Sequence, residues 1–248
     1  MAETPWQDVA RALDDCLPQT QCGQCGYNGC RPYADAMAQG AAPVNRCPPG
    51  GQDGVSLLAG VLGVPVIPLD PDYGPTKPRL IASIQGDHCI GCTLCITACP
   101  VDAIIGANKK RHAVIASLCT GCELCIPPCP VDCIELTHVP QHSHWTRQQA
   151  HAARVRMHSR DLRLQRQKQE HEARLEAKAL HKAAHLDTLT HGTADPAEAA
   201  RKRDVIAAAL LRARLRRAGS STDSAPGIDS DIKPESTPGS SPTEDKTP

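Results

Sequence analysis

The sequence is almost without aromatic residues, since its 248 positions hold no phenylalanine, two tryptophans and three tyrosines. Aromatic side chains usually supply much of the buried area in a small hydrophobic core. A chain of this length can form one or two small domains with appendages, and small domains without aromatics need another internal cross-link. The 14 cysteines are the candidates for that cross-link, as disulfides or as metal ligands.

A secretory signal and a long apolar run are also lacking. The start, MAETPWQDVARALDD, has no basic segment followed by an apolar one, so we expect reduced thiols rather than a disulfide framework. The most apolar stretch, residues 55–69, spans 15 positions and is broken by prolines and glycines. A bilayer span needs about 20 apolar residues. We expect a short helix followed by an extended segment there, in a soluble cytoplasmic protein.

One cysteine pattern occurs twice. HCIGCTLCITACPVDAI begins at His88, and LCTGCELCIPPCPVDCI follows thirty residues later at Leu118. Each copy reads C-x2-C-x2-C-x3-C-P, as in bacterial ferredoxins, where three thiolates bind one [4Fe–4S] cluster and the fourth binds its neighbour. A zinc ribbon binds its metal with two cysteine pairs, so a run of three cysteines followed by C-P does not match it. The predicted ligand sets are Cys89, Cys92, Cys95 and Cys129 for one cluster, and Cys119, Cys122, Cys125 and Cys99 for the other.

A third cysteine group near the N-terminus has a different spacing, C-x2-C-x4-C followed after 16 residues by a further cysteine. Intervening glycines allow the turns that would aim these thiols inward. The group could hold iron–sulfur, and zinc remains an alternative on spacing alone. Two cysteines are left over, Cys16 and Cys133, and we interpret both as small buried apolar residues. The candidate ligands of the third group are Cys22, Cys25, Cys30 and Cys47.

The expected fold class is α+β: a bacterial 2[4Fe–4S] ferredoxin-like domain, preceded by a small helical [4Fe–4S] domain and followed by long charged helices and a disordered tail. Each half-repeat should consist of a strand, a cysteine loop, a short helix and a strand, with GANKKR forming a hairpin turn. Helices are expected over residues 5–16 and 145–190 and from Pro196, capped by Asp195, to Gly219. The predicted domains are residues 1–62 (first cluster), 63–78 (proline-rich linker), 79–140 (ferredoxin), 141–218 (basic helical extension) and 219–248 (disordered acidic tail).

The cysteine-rich part of the sequence resembles the B subunit of the Rnf, or Rsx, ion-translocating electron transport complex. The resemblance rests on LPQTQCGQCGYNGCRPYADAMAQGAAPVNRCPPGG and CIGCTLCITACPVDAIIGANKKRHAVIASLCTGCELCIPPCPVDCIEL, and it covers residues 13–138. It implies that the third cysteine group also holds a [4Fe–4S] cluster. It further implies a subunit that passes electrons between a peripheral NADH- or ferredoxin-linked module and membrane subunits that move ions.

Members of that family usually carry a membrane-spanning helix before the first cluster motif, whereas only about a dozen residues precede that region here. We therefore expect a short soluble form. No nucleotide-binding or metalloprotease signature occurs, so we predict no catalytic residues. The expected protein is an electron carrier with redox protein partners, at most the electron-transfer subunit of an oxidoreductase complex.

Charge is unevenly distributed although the net charge is zero. Residues 145–217 hold 17 basic and 8 acidic residues, and we predict the first helix of this segment, residues 145–190, to be mostly solvated. This basic segment could dock on an acidic partner, lie on the anionic cytoplasmic face of the inner membrane, or bind nucleic acid. The scarcity of aromatic residues argues against nucleic acid. The spacing of His181 and His185 fits a pair of metal ligands or a solvent-exposed helix face, and we favour the solvent-exposed face. Asn108–Arg111 could steer an acidic partner or form an ordinary solvated turn.

Overall fold

The computed structural model describes residues 5–76, 78–138, 140, 145–185 and 196–220. The chain forms two compact units, residues 1–167 and 168–248. Helices and strands are both present, as expected. The helices are α1 (Pro5–Cys16), α2 (Cys30–Ala38), α3 (Gly51–Leu62), α4 (Leu94–Ala98), α5 (Arg147–Ala184) and α6 (Pro196–Ser220), and the strands are β1 (Ile81–Ile84), β2 (Ile104–Ile105), β3 (Ala113–Val114) and β4 (Ile134–Thr137).

Helices α1, α2 and α3 enclose the first hydrophobic core. Leu13, Tyr33 and Leu58, one from each helix, are at most 1% exposed. Helix α3 ends where Gly63 adopts a left-handed conformation and donates its N–H to the carbonyl of Ala59. The expected helix and extended segment within residues 55–69 are confirmed, although the helix begins earlier than the apolar run.

The proline-rich segment that follows α3 lies against the N-terminal helices over part of its length. Gln52 donates from Nε2 to the carbonyl of Ile67 at 3.0 Å and accepts from the N–H of Leu69 at 3.0 Å. Asn45 donates from Nδ2 to the carbonyl of Pro68 at 2.9 Å. Two side-chain amides thus supply partners that a run rich in prolines cannot provide for itself.

Two small antiparallel sheets form the second core. Strand β1 pairs with β4, with Ala82 opposite Leu136, and β2 pairs with β3, with Ile104 opposite Val114. The sequence GANKKR connects β2 and β3, so the expected hairpin is confirmed. The second core also buries Ile81, Val101 and several cysteines.

The expected short helix is present in only one of the two repeats. Helix α4 includes the third cysteine of the first run, whereas residues 124–128 form turns and a bend. The prediction was wrong for the second repeat because Pro127 and Pro128 stand there. Each lacks a backbone N–H, and each disfavours helical geometry for the residue before it.

The C-terminal helices begin close to the expected positions, and α5 is mostly exposed along its length, as expected, but part of its first turns is buried. Ala150 and Ala153 of α5 are 6% and 0% exposed, and Ala153 belongs to the second core. The first turns of α5 are thus part of the compact unit that holds the cysteines. Helix α6 starts at Pro196, as expected. The predicted cap Asp195 and the tail after Ser220 lie outside the described residues.

Candidate iron–sulfur sites

Four thiols from both repeats line one cavity in the second core. The walls include Cys99, Cys119, Cys122 and Cys125, together with apolar side chains such as Ala82. Burial raises the pKa of Cys122 to about 11 and that of Cys125 to about 12. We call this group the second-repeat site.

The corresponding group of the first repeat, Cys89, Cys92, Cys95 and Cys129, is called the first-repeat site. Burial raises the pKa of the Cys95 thiol, and the neighbouring thiols of Cys92 and Cys89 raise it further. Cys129 is placed beside this group through Cys133, which interacts with both Cys129 and Cys89.

Cys129 and Cys133 are in contact, with 3.6 Å between their Sγ atoms. Burial alone would raise the pKa of Cys129, but a backbone hydrogen bond from Val131 and others nearby lower it overall. Burial, followed by the hydrogen bond with Cys129, raises the pKa of Cys133 to about 12. Cys133 is 3% exposed, and Cys16 is partly buried against the first core. Cys133 is thus buried as expected, whereas Cys16 is only partly buried.

The third group, the N-terminal site, consists of Cys22, Cys25, Cys30 and Cys47. These thiols interact with one another: Cys22 lies close enough to influence the other three, and Cys47 interacts with Cys25 and Cys30. Burial raises the pKa of Cys30 well above its usual value and that of Cys47 to about 12. Because cysteines bind metals as thiolates, metal binding here would release the protons of Cys30 and Cys47.

A chain of buried side-chain amides supports the N-terminal site. Gln19 donates from Nε2 to the Asp14 carboxylate at 2.8 Å, and Gln21 donates from Nε2 to Oε1 of Gln19 at 2.9 Å. Oε1 of Gln21 then accepts the N–H of Cys30 at 2.9 Å. Gly29 has a φ of 108° beside this contact, and a Cβ there would lie 2.8 Å from Oε1 of Gln21. The turn before Cys30 therefore requires glycine.

Two glycines allow the cysteine loops of the repeats to pack closely on neighbouring backbone. Gly91 and Gly121 both have a φ of 71°. A Cβ on Gly91 would lie 2.5 Å from the N atom of Lys110, and one on Gly121 would lie 2.5 Å from the carbonyl oxygen of Leu80. Side chains are thus excluded at equivalent points of the two loops, which keeps each loop folded around its thiols.

Arginines of α5 contact the two cysteine repeats, which the sequence analysis missed. Arg163 contacts the Asp102 carboxylate with both terminal nitrogens, at 2.7 and 2.9 Å. Arg156 donates to the carbonyl of Leu118 at 3.3 Å, and Arg160 donates to the carbonyl of Thr97. Both carbonyls lie next to or near predicted ligands. These arginines are engaged within the protein rather than presented to an external phosphate or membrane.

Trp145 and Thr120 connect the N-terminal part to the repeats. The Trp145 indole donates to the carbonyl of Pro18 at 2.6 Å, and the guanidinium of Arg79 lies 4.2 Å from its ring centre. Thr120 donates from its hydroxyl to the carbonyl of Thr20 at 3.2 Å and also hydrogen-bonds the Cys122 thiol. No sequence motif marks these contacts.

His181 and His185 behave as a surface pair. Their rings stack with centres 4.2 Å apart, and Nδ1 of His185 lies 2.9 Å from the carbonyl oxygen of His181 in an exposed position. Within the described ranges, no three or more His, Cys, Asp or Glu side chains are grouped to hold a single metal ion.

Two protein families match the parts of the chain that carry the three sites. The 4Fe-4S dicluster domain matches residues 82–136, and the family described as "Putative Fe-S cluster" matches residues 17–49. The two ranges contain all twelve predicted ligands. Together with the mixed helices and strands, the matches support an α+β ferredoxin-like iron–sulfur fold that binds [4Fe–4S] clusters.

Curated relatives share the same region. The B subunit of the ion-translocating oxidoreductase complex from Thiobacillus denitrificans is 59% identical over 108 residues, which cover 44% of this chain and 57% of that protein. Its counterpart from Azoarcus is 60% identical over 106 residues (43% and 58%), and that from Vibrio cholerae is 55% identical over 107 residues (43% and 54%). The cysteine-rich region is homologous to these proteins.

The chain thus spans little more than half the length of the curated relatives it matches. No solved structure matches it significantly. In the described part of the chain, no helix is both long enough and apolar enough to cross a membrane.

Proposed function

We propose that this protein relays single electrons through three [4Fe–4S] clusters, one at each site. The observation that carries the proposal is the cavity that Cys99, from one repeat, lines together with the three thiols of the other. A crossed ligand set of this kind is what two-cluster ferredoxins use. A bound cluster supplies one-electron chemistry at a potential anywhere from about −700 to +450 mV, set by charge, hydrogen bonds and exposure.

The N-terminal site and the second-repeat site are connected through two threonines. The Thr20 hydroxyl lies 3.4 Å from Sγ of Cys22, and the Thr20 carbonyl accepts a hydrogen bond from the hydroxyl of Thr120, which lies beside Cys122. Both threonines are buried, at 7% and 3% exposure. The side chains that connect the two ligand groups are thus shielded from bulk solvent. We propose that this connection makes the two sites neighbours in the relay.

The first-repeat site is the accessible end of the proposed relay. Ile90, which stands between two ligands of that site, is 58% exposed, whereas its counterpart thirty residues later, Thr120, is 3% exposed beneath the N-terminal part. Next to Ile90, the N–H of Lys109 donates to the carbonyl of Gly91 at 2.9 Å. Lys109 and Lys110 are exposed on this hairpin. An apolar contact beside lysines fits an acidic redox partner.

By homology, we propose that the partners include components of an ion-translocating oxidoreductase complex, and that the protein works at the cytoplasmic face of the membrane holding it. The curated relatives that align with the cysteine-rich region are named as subunits of such a complex. The alternative of nucleic-acid binding receives no support, because several arginines at the start of the basic segment contact the protein itself.

A reductive titration of the anaerobically purified protein tests the relay. We expect the visible absorption to bleach with the uptake of about three electrons per chain, one for each cluster, and to return when an oxidant is added. Uptake of about two electrons would limit the relay to the repeats. A colourless protein that takes up none would refute the proposal.

A further inference from the structure

A buried histidine contacts one of the predicted ligands. His112 is 4% exposed, and its Nδ1 lies 3.2 Å from Sγ of Cys95. The other ring nitrogen, Nε2, is buried with no hydrogen-bond partner among the described residues. A cysteine that binds iron does so as a thiolate, which can only accept a hydrogen bond. With a cluster bound, Nδ1 is therefore the donor in this contact.

The thirty-residue repeat provides an internal comparison, because it places Ala82 where the other half has His112. Local contacts follow the same spacing. Cys89 donates its N–H to the carbonyl of Gln85 at 3.1 Å, and Cys119 donates to that of Ile115 at 3.1 Å. Ala82 therefore occupies the position beside the second-repeat site that His112 occupies beside the first-repeat site.

The two repeats combine large and small residues in opposite ways at these positions. One repeat places a histidine beside a glycine, and the other places an alanine beside a leucine. A Cβ on Gly106 would lie 2.3 Å from Cδ2 of His112, so glycine makes room for the imidazole. Thirty residues later the equivalent of Gly106 is Leu136, which pairs with Ala82 across β1 and β4. Ala82 and Leu136 both line the cavity of the second-repeat site. One site thus has an N–H donor at the place where the other has only hydrocarbon.

We infer that His112 separates the potentials of the two repeat sites, by donating a hydrogen bond that makes the first-repeat site the more easily reduced. This inference rests on the proposed function. A hydrogen bond to a ligand sulfur favours the more negative, reduced state, and such bonds are among the determinants of cluster potential. One electron then passes from the second-repeat site, which is oxidised, to the first-repeat site, which is reduced, without proton transfer or bond formation. Electrons collect beside exposed Ile90, where a partner can dock.

The test is a redox titration of the anaerobic holoprotein, followed by EPR and accompanied by iron analysis. His112→Ala copies the second-repeat arrangement. We expect full iron content and a lower potential for the first-repeat site, shifting the distribution of electrons between the two sites by roughly tenfold, or about 59 mV for a one-electron couple. His112→Asn, which keeps a donor near the Nδ1 position, should recover part of the shift.

The reciprocal variant, Ala82→His with Leu136→Gly, builds the donor and its space into the second-repeat site. It should raise the potential of that site, and it keeps the inference testable if His112→Ala loses iron. Unchanged potentials in fully loaded variants would overturn this inference and leave the proposed relay standing. A wild-type protein without [4Fe–4S] clusters would overturn both.

Discussion

Arg154 of α5 and Asp14 of α1 form an ion pair, with 3.0 Å between Nη1 and Oδ2. The Asp14 side chain is 5% exposed, and it also accepts the hydrogen bond from Gln19 that begins the amide chain to the N–H of Cys30. Burial alone would lower the pKa of Arg154, but hydrogen bonds to Asp15 and Asp14 raise it overall. A C-terminal helix thus supports the N-terminal site.

Arg154→Met should destabilise the protein because it leaves the buried Asp14 carboxylate without its cation. Removing one partner of a buried ion pair costs about 3–5 kcal/mol. We expect the lower end of that range, since the Arg154 side chain is 19% exposed. Urea unfolding of the holoprotein measures the effect. Arg174→Met, at an exposed position of the same helix, is the control, and equal midpoints for the two variants would contradict the account.

Tyr33→Phe tests the first core. The Tyr33 hydroxyl donates to the carbonyl of Pro43 at 2.7 Å and accepts the N–H of Arg46 at 3.1 Å. Without it, both backbone groups lose their partner, at a cost of about 1–3 kcal/mol. Tyr27→Phe, a change in a partly buried ring packed against Tyr33, should cost less. A free energy of unfolding unchanged in Tyr33→Phe would rule out this role.

The same tyrosine predicts a pH dependence. Burial raises the pKa of Tyr33 above its usual value, which is about 10 in an unfolded chain. The folded protein therefore holds this proton more tightly, and the resulting stabilisation is complete below about pH 10 and is lost as the pH rises further. Tyr33→Phe should show a smaller loss of stability in this alkaline range than wild type. Parallel curves would contradict the assignment.

Alanine variants of two buried cysteines, Cys99 and Cys133, distinguish a cluster ligand from a residue that only packs in the core. Cys99→Ala should remove the cluster of the second-repeat site, a loss of roughly four irons per chain. Cys133→Ala should keep the full iron content, because Cys133 is outside every predicted ligand set. Iron and sulfide analysis of both anaerobic proteins makes the comparison. A Cys133→Ala protein that loses iron, or a Cys99→Ala protein that keeps it all, would show that the ligand sets are wrong.

The exposed hairpin predicts electrostatic steering of small redox reagents. Lys109→Glu with Lys110→Glu should slow oxidation of the reduced protein by anionic hexacyanoferrate(III) and accelerate oxidation by cationic hexaamminecobalt(III), most strongly at low salt. Stopped-flow absorption measures both rates. Lys178→Glu with Lys182→Glu, on an exposed part of α5, is the matched control. If both double variants change the rates equally, the hairpin is not the point of access.

The local elements were predictable because their determinants lie close together in the sequence. The C-x2-C spacing and the hairpin turn before His112 both act within a few residues. The missing helix near Pro127 could also have been predicted, since two adjacent prolines oppose it; the symmetry of the repeat favoured the wrong expectation.

The contacts of α5 could not be predicted in the same way. Arg154 and Asp14 are 140 residues apart, and Arg163 and Asp102 are 61 apart. On sequence alone, an arginine-rich helix with a narrow apolar face is typical of a solvated surface. Only tertiary packing shows that Ala153 lies in the second core and that the arginines around it have fixed partners. The His112–Cys95 contact also depends on a close approach that no motif encodes.

Iron and acid-labile sulfide analysis of anaerobically purified protein, combined with EPR of the reduced sample, tests the three-cluster relay most directly. The account predicts roughly twelve irons and twelve sulfides per chain, with EPR signals of reduced [4Fe–4S] clusters. Roughly eight irons with zinc at the N-terminal site would contradict the three-cluster relay, and zinc in place of iron throughout would contradict the account as a whole.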